Sequence, residues 1–212
     1  NKPLREERIR RAFDLTTRAG ILARGYFIYG CPGETSGTIE QSLDLIRRIR
    51  PLGAIFYILD VFPGTGLYED MRRAGRISER VWLERIEGVP YFDLDPHITA
   101  EDVLAWGKTL RDGFHRLLGG FADGTALREE EGMEALNADF CSRLAMTFSH
   151  GDYARIEAVE DPEGVAETLY RRSLGFFPDH RAYLGLGVLL QKRGDHREAA
   201  QLLEQAVEHY PG

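Results

Sequence analysis

Two short segments hold the residue types that binding chemistry needs. Gly25–Thr35 reads GYFIYGCPGET, and residues 61–69 read VFPGTGLYE. In the first, an apolar stretch runs into a turn with two glycines, a proline, a thiol and a carboxylate. Glycines and a carboxylate at the carboxyl end of a buried strand mark a ligand site, because backbone without side chains lets a ligand approach closely. Neither segment is a P-loop, since no Lys-Ser/Thr follows the glycines, and neither has the G-x-G-x-x-G spacing of a dinucleotide fingerprint. The six histidines (97, 115, 150, 180, 196, 209) show no paired metal spacing such as H-E-x-x-H and read as surface or packing residues. No Ser-His-Asp arrangement follows from the spacing.

The elements that position these segments follow from periodicity. Residues 4–19 form an amphipathic helix with Ile9, Phe13 and Thr16 on one face, broadened by Ala12, Leu15 and Ala19 and stopped by Gly20. A strand at 25–30 comes next. Thr35 or Ser36 caps a helix with Ile39, Leu43 and Ile46 at helical spacing, which ends before Pro51. Residues 54–62, AIFYILDVF, form a second apolar run, continuous rather than alternating, as in a parallel strand covered on both faces. LYEDMRRAG is a third helix ending at Gly75. The order helix–strand–helix–strand–helix is α/β architecture with right-handed crossovers. Two parallel strands cannot bury their own faces and edges, so further strands are expected from a segment preceding Asn1 or from another chain.

Residues 76–120 extend this unit. Val81, Trp82 and Ile86 suggest a short helix, and Thr99 with Asp102 resembles a capping box. Val103, Leu110, Phe114 and Leu117 mark the core face of a longer helix closed by Gly119 and Gly120. The polar segment FADGTALREEEG, 121–132, reads as a linker. Beyond it, residues 133–212 are all-α. Tyr183, Leu186, Gly187, Leu190, Gly194, Ala199, Leu203, Ala206 and Pro211 fall at tetratricopeptide spacing. A second copy lies upstream. Leu144, Ala145, Phe148 and Gly151 match its first helix, and Ala166, Tyr170, Ser173 and Pro178 its second, with extra residues around EAVEDPEG between them. The sequence predicts paired antiparallel helices with Gln191, His196 and Arg197 facing outward.

Charge excludes some functions. The 212 residues carry a formal charge of -7; residues 1–24 are basic at +4, which leaves the remainder at -11. An acidic body argues against phosphate-backbone binding to nucleic acid, and the basic start reads as a solvated helix face. Two widely separated cysteines, Cys31 and Cys141, form no disulfide framework, which predicts a reducing, cytoplasmic setting. No apolar run approaches the roughly 20 residues of a membrane helix.

The two glycine segments together carry a resemblance. Gly25, Phe27, Ile28, Gly30, Pro32, Gly33, Glu34 and Thr35, then Phe62, Pro63, Gly64, Thr65, Leu67 and Tyr68, resemble the second half of a radical S-adenosylmethionine barrel. The match is to the subgroup that often carries a cobalamin-binding domain. Asn1 and Lys2 resemble the tail of the motif after the preceding strand, and Ala19, Gly20 and Ile21 the entry to the next. The resemblance implies a partial TIM-like barrel over residues 1–120, followed by tetratricopeptide-like repeats. It implies S-adenosylmethionine and a [4Fe-4S] cluster as cofactors of the parent protein, with cobalamin a further candidate and nothing bound tightly by this chain alone. In the family the cluster cleaves S-adenosylmethionine to a 5′-deoxyadenosyl radical, for transferase- or oxidoreductase-type modification of a substrate, including methylation.

The site residues it implies are Ile28, packing on the adenine; Gly30 and Gly33, admitting backbone to the ligand; Pro32; Pro63, Gly64 and Thr65, shaping the mouth; and Glu34, which touches the ligand or caps the adjacent helix. The chain departs from the pattern. It lacks the C-x-x-x-C-x-x-C triad and the glycine-rich motif after it, and it has Asp60 and Val61 where the family often has Thr-Pro. These residues alone are therefore expected to be inactive, with the missing half of the barrel upstream. The repeats would bind a protein or carrier-bound substrate. A degenerate barrel half serving only as a platform for the repeats is the alternative, and a stable fragment of a larger enzyme is a third.

Overall fold

The computed structural model describes residues 4–83 and 94–210. Among them, helices dominate and two strands form a parallel pair. The chain divides into two compact units. One comprises Asn1–Arg24, Leu45–Gly53 and Gly113–Gly212; the other comprises Gly25–Asp44 and Ala54–Asp112.

The second unit is built on the sheet. Strand β1 is Arg24–Tyr29 and β2 is Gly53–Ile58, and they are joined through helix α2, Ser36–Ile49. The expected apolar spacing of α2 is realised: Ile39, Leu43 and Ile46 are all buried. Thr35 Oγ1 accepts from the Thr38 amide at 3.3 Å, and Thr38 Oγ1 returns the contact from the Thr35 amide at 3.0 Å, so Thr35 caps the helix start. Each strand end differs from expectation. β2 stops at Ile58 although the apolar run continues to Phe62. Val61 instead leaves the sheet and joins a separate cluster with Tyr68, Met71 and Ile77.

Among the described residues the strands are also not covered on both faces. β1 alternates between buried and exposed positions, with Gly25 and Tyr29 buried and Tyr26 and Ile28 exposed. Phe27 stacks on Phe56 at 5.4 Å on one face, while Tyr26 stacks on Tyr57 at 6.2 Å on the other. The second of these faces is bare among the described residues.

Helix α3, Gly66–Arg73, is capped by Thr65 and closed by Gly75 at φ 69°. A 3-10 turn, Glu79–Leu83, occupies the place of the short helix expected around Trp82; Ile86 lies outside the described residues. The predicted capping box opens helix α4, Ala100–Asp123. The Thr99 amide donates to the Asp102 carboxylate at 2.9 Å, and Thr99 Oγ1 accepts from the Asp102 amide at 3.1 Å. In that helix Tyr29 packs over Gly107. A Cβ on Gly107 would lie 2.7 Å from Tyr29 Cζ and closer still to its hydroxyl.

The first unit holds helix α1, Glu6–Arg18, and the helices after α4. α4 itself corrects two expectations. It runs through Gly119 and Gly120 to Asp123, and Leu118 rather than Leu117 is fully buried. Gly119 does not stop the helix; it makes room, since a Cβ there would stand 3.2 Å from Val165. The first residues of the expected linker are therefore helical, with Phe121 and Ala122 buried.

Helices α5, Glu134–Ser149, and α6, Pro162–Phe176, form one packed pair; α7, His180–Arg193, and α8, His196–His209, form the next. Gly194, at φ 89°, closes α7 and turns the chain back. A Cβ on Gly187 would approach Leu203 of α8 to 3.2 Å, the close approach that the sequence pattern requires. Asp179 caps α7 by accepting from the amides of Arg181 and Ala182. Pro211 lies outside the described residues.

Candidate functional site

The two glycine segments leave the carboxyl ends of adjacent strands. The Leu59 amide donates to the Tyr29 carbonyl at 2.7 Å, so the strands stay paired up to the point where both loops depart. Ile28 lies at the end of β1, 58% exposed, on the bare face with Tyr26 and Tyr57. Pro32 and Gly33 are exposed in the first loop, and Pro63, Gly64 and Thr65 in the second. The structure thus collects all the expected site residues on two neighbouring loops and one sheet face.

Their individual roles differ from one another. Gly30 and Gly33 adopt left-handed conformations, at φ 80° and 76°. At Gly30 the direction a side chain would take is filled by Val103 and Ile58, at 3.4 and 3.5 Å. Its bareness therefore serves the turn and the packing against α4. At Gly33 no described residue lies within 4 Å of that direction, so a ligand could approach there. Gly64, at φ 83°, is open in the same way among the described residues. Thr65 belongs to the fold: its Oγ1 donates to the Phe62 carbonyl at 2.7 Å and accepts from the Tyr68 amide at 3.2 Å.

Glu34 neither caps α2 nor points away from the turn. Its carboxylate folds back and accepts from the amides of Gly30 and Cys31, the latter at 3.1 Å. The amide of Gly33 is held by Asp95 at 2.8 Å. Asp95 has a carboxyl below the usual range, because it accepts from the His97 amide and then from Gly33. Three backbone donors of the turn thus have internal acceptors. The turn is therefore no anion cradle. The Cys31 thiol is pushed up, first by burial and then by the negative charge of Glu34, which makes it a poor nucleophile.

Sequence reasoning missed three contributors. Tyr26 and Tyr57 were hidden because every residue of the run is apolar, so the pattern carried no information about which face is exposed. Asp95 lies 62 residues from the amide it holds, and no local signal links the two.

An exposed sheet face that carries two neighbouring tyrosine rings and an isoleucine offers apolar and aromatic contact to a planar, weakly polar ring such as a purine. An iron–sulfur cluster does not fit the residues present. The chain has two cysteines, and among the described residues no group of three or more His, Cys, Asp or Glu is placed to hold a metal. Among the described residues no helix is long and apolar enough to cross a membrane. No protein-family model matches the chain, and no solved structure matches it either.

Proposed function

We propose that this chain supplies the adenosine-contacting part of an S-adenosylmethionine site in a radical enzyme. In that reading Ile28, flanked by Tyr26 and Tyr57, carries the adenine. Gly33 and Gly64 give the ligand room at the two loops, and Pro32 and Pro63 stiffen them. Glu34 and Gly30 act one step back, by holding the turn in shape. The cluster and the groups that chelate the methionine part of the cofactor would come from residues outside these 212. When bound, the cluster would supply the electron that cleaves the cofactor. The paired helices α5–α8 would be tetratricopeptide-like repeats that hold the substrate or its carrier.

The observation that carries this reading is the bare Tyr26–Ile28–Tyr57 face at the carboxyl end of adjacent parallel strands, where both glycine loops depart. The test is to express the chain with its upstream reading frame and reconstitute it anaerobically with iron and sulfide. Formation of 5′-deoxyadenosine under reduction is then measured. Activity is expected in the parent and a loss of at least a hundredfold in Ile28→Glu, with cluster absorbance unchanged. An upstream frame without a cysteine triad, or a parent that forms no cluster, would end the proposal.

A further inference from the structure

The helical unit to which the preceding reading gives the substrate or its carrier contains a cavity of about 320 Å³. It lies among α5, α6 and α7. Its floor comes from an interlock of three helices. Tyr170 of α6 is fully buried and its hydroxyl meets Ser149 Oγ of α5 at 2.9 Å. Gly185 of α7 permits this, because a Cβ there would lie 2.7 Å from Tyr170 Cε1 and closer still to Cζ and the hydroxyl. The wall is apolar: Leu184 and Val188 line it and remain 62% and 41% exposed. At this size the cavity sits at the small end of ligand pockets, which run from about 300 to 1,000 Å³. Gln191, His196 and Arg197 are exposed as expected, but none of them lines it.

Charge decides the ligand class. The polar side chains of the lining include His150, His180, Arg181 and Lys192, and no Asp or Glu is among its described residues, although the chain as a whole is at -7. Arg181 meets Asp139 and Asp179, at 2.9 and 3.2 Å, through Nη1 in both cases, so these contacts leave the other side of its fork unused. Lys192 is 57% exposed and stands 3.8 Å from Glu163, the outer limit of an ion pair. Arg181, Leu184, Val188 and Lys192 follow one another along one side of α7. At 1.5 Å per residue this stripe is about 16 Å long, the span of about five residues of extended chain.

We propose that this groove binds an extended acidic peptide segment that places one or two large apolar side chains in the cavity, with carboxylates meeting Lys192 and Arg181. The proposal deepens the substrate- or carrier-holding role given to α5–α8 and is independent of the cofactor reading, so its test uses the 212-residue chain without cofactor. The probe is fluorescein-labelled Asp-Glu-Leu-Phe-Glu-Asp, followed by fluorescence anisotropy. The comparison peptides are Lys-Arg-Leu-Phe-Arg-Lys, with reversed charge, and Asp-Glu-Ser-Ser-Glu-Asp, without the apolar pair. The acidic apolar probe is expected to bind at least tenfold more tightly than either. Leu184→Glu and Val188→Glu, both at exposed positions, should each weaken it at least tenfold while circular dichroism stays unchanged. Lys192→Glu should weaken it and strengthen the charge-reversed probe. Val207→Glu, on an exposed apolar position of α8, should change nothing. The proposal is overturned by equal binding of acidic and reversed probes, or by unaltered binding in both Leu184→Glu and Val188→Glu. It is equally overturned if sedimentation shows dimers that Leu184→Glu dissociates, because a second copy would then occupy the groove.

Discussion

Replacing Glu34 by Ala tests whether this carboxylate holds the first glycine turn. Its two acceptor contacts are to the Gly30 and Cys31 amides, and Gly30 is buried. A hydrogen bond to a charged group contributes about 1.5–3 kcal/mol net. Glu34 is half-buried and water can partly replace it, so the pair together is worth about 2 kcal/mol rather than the full sum. The loss falls on the local opening equilibrium of the turn. Since about 1.4 kcal/mol is tenfold, exchange of the Gly30 and Cys31 amides should quicken about 30-fold. Amides of Leu43 and Ile46, inside α2, should keep their rates. Glu34→Gln retains an oxygen acceptor without the charge and should fall between the two. It should also make Cys31 alkylate faster, because one of the two causes that raise its thiol is removed. Site-resolved hydrogen exchange measures all of this. If the amides of Gly30 and Cys31 exchange in Glu34→Ala as they do in the parent, the carboxylate is not what shapes the turn.

Gly107→Ala drives a methyl into the Tyr29 ring and should cost about 1–3 kcal/mol in denaturant unfolding; Tyr29→Ala in the same chain should recover part of it, and full additivity would refute the contact. Gly30→Val combines left-handed strain of about 1–2 kcal/mol with crowding against Val103, so its midpoint should drop well below that of Gly33→Ala, where only the strain applies; equal midpoints would refute the packing role. Burial pushes the Cys141 thiol to about 11, so the unfolded chain ionises first and stability should decline as pH rises between about 9 and 11. Cys141→Ala should flatten that part of the profile, and an unchanged alkaline slope would contradict it.

The helices were legible because their signals are local. Ile39, Leu43 and Ile46 repeat within two turns, the Thr99–Asp102 box spans four residues, and Gly187 and Gly194 stand where a tight hairpin needs them. The sheet was less legible. Tyr26 to Tyr29 are all apolar, so no alternation marks Ile28 and Tyr26 as the exposed pair. The run after β2 stays apolar because Val61 has a second core to enter. Gly119 looked like a helix stop, but its role is set by Val165, 46 positions further along. The same distance effect hid Asp95 from the candidate site. The expected site residues were found together, while the division of labour among them depended on contacts that no short window contains.

The interlock of Gly185, Tyr170 and Ser149 has a consequence for how this chain can change over generations. A larger residue at 185 has nowhere to go while the tyrosine ring is present, and a smaller residue at 170 strips the serine hydroxyl of its contact across helices, leaving it the one to His150 Nδ1. The three positions lie on three different helices, yet selection meets them as one character. Descendants should carry either the whole trio or none of it, and single-step intermediates should be scarce. Across diverged copies of this chain, residue 185 should thus covary with residue 170 more tightly than either does with its neighbours in sequence.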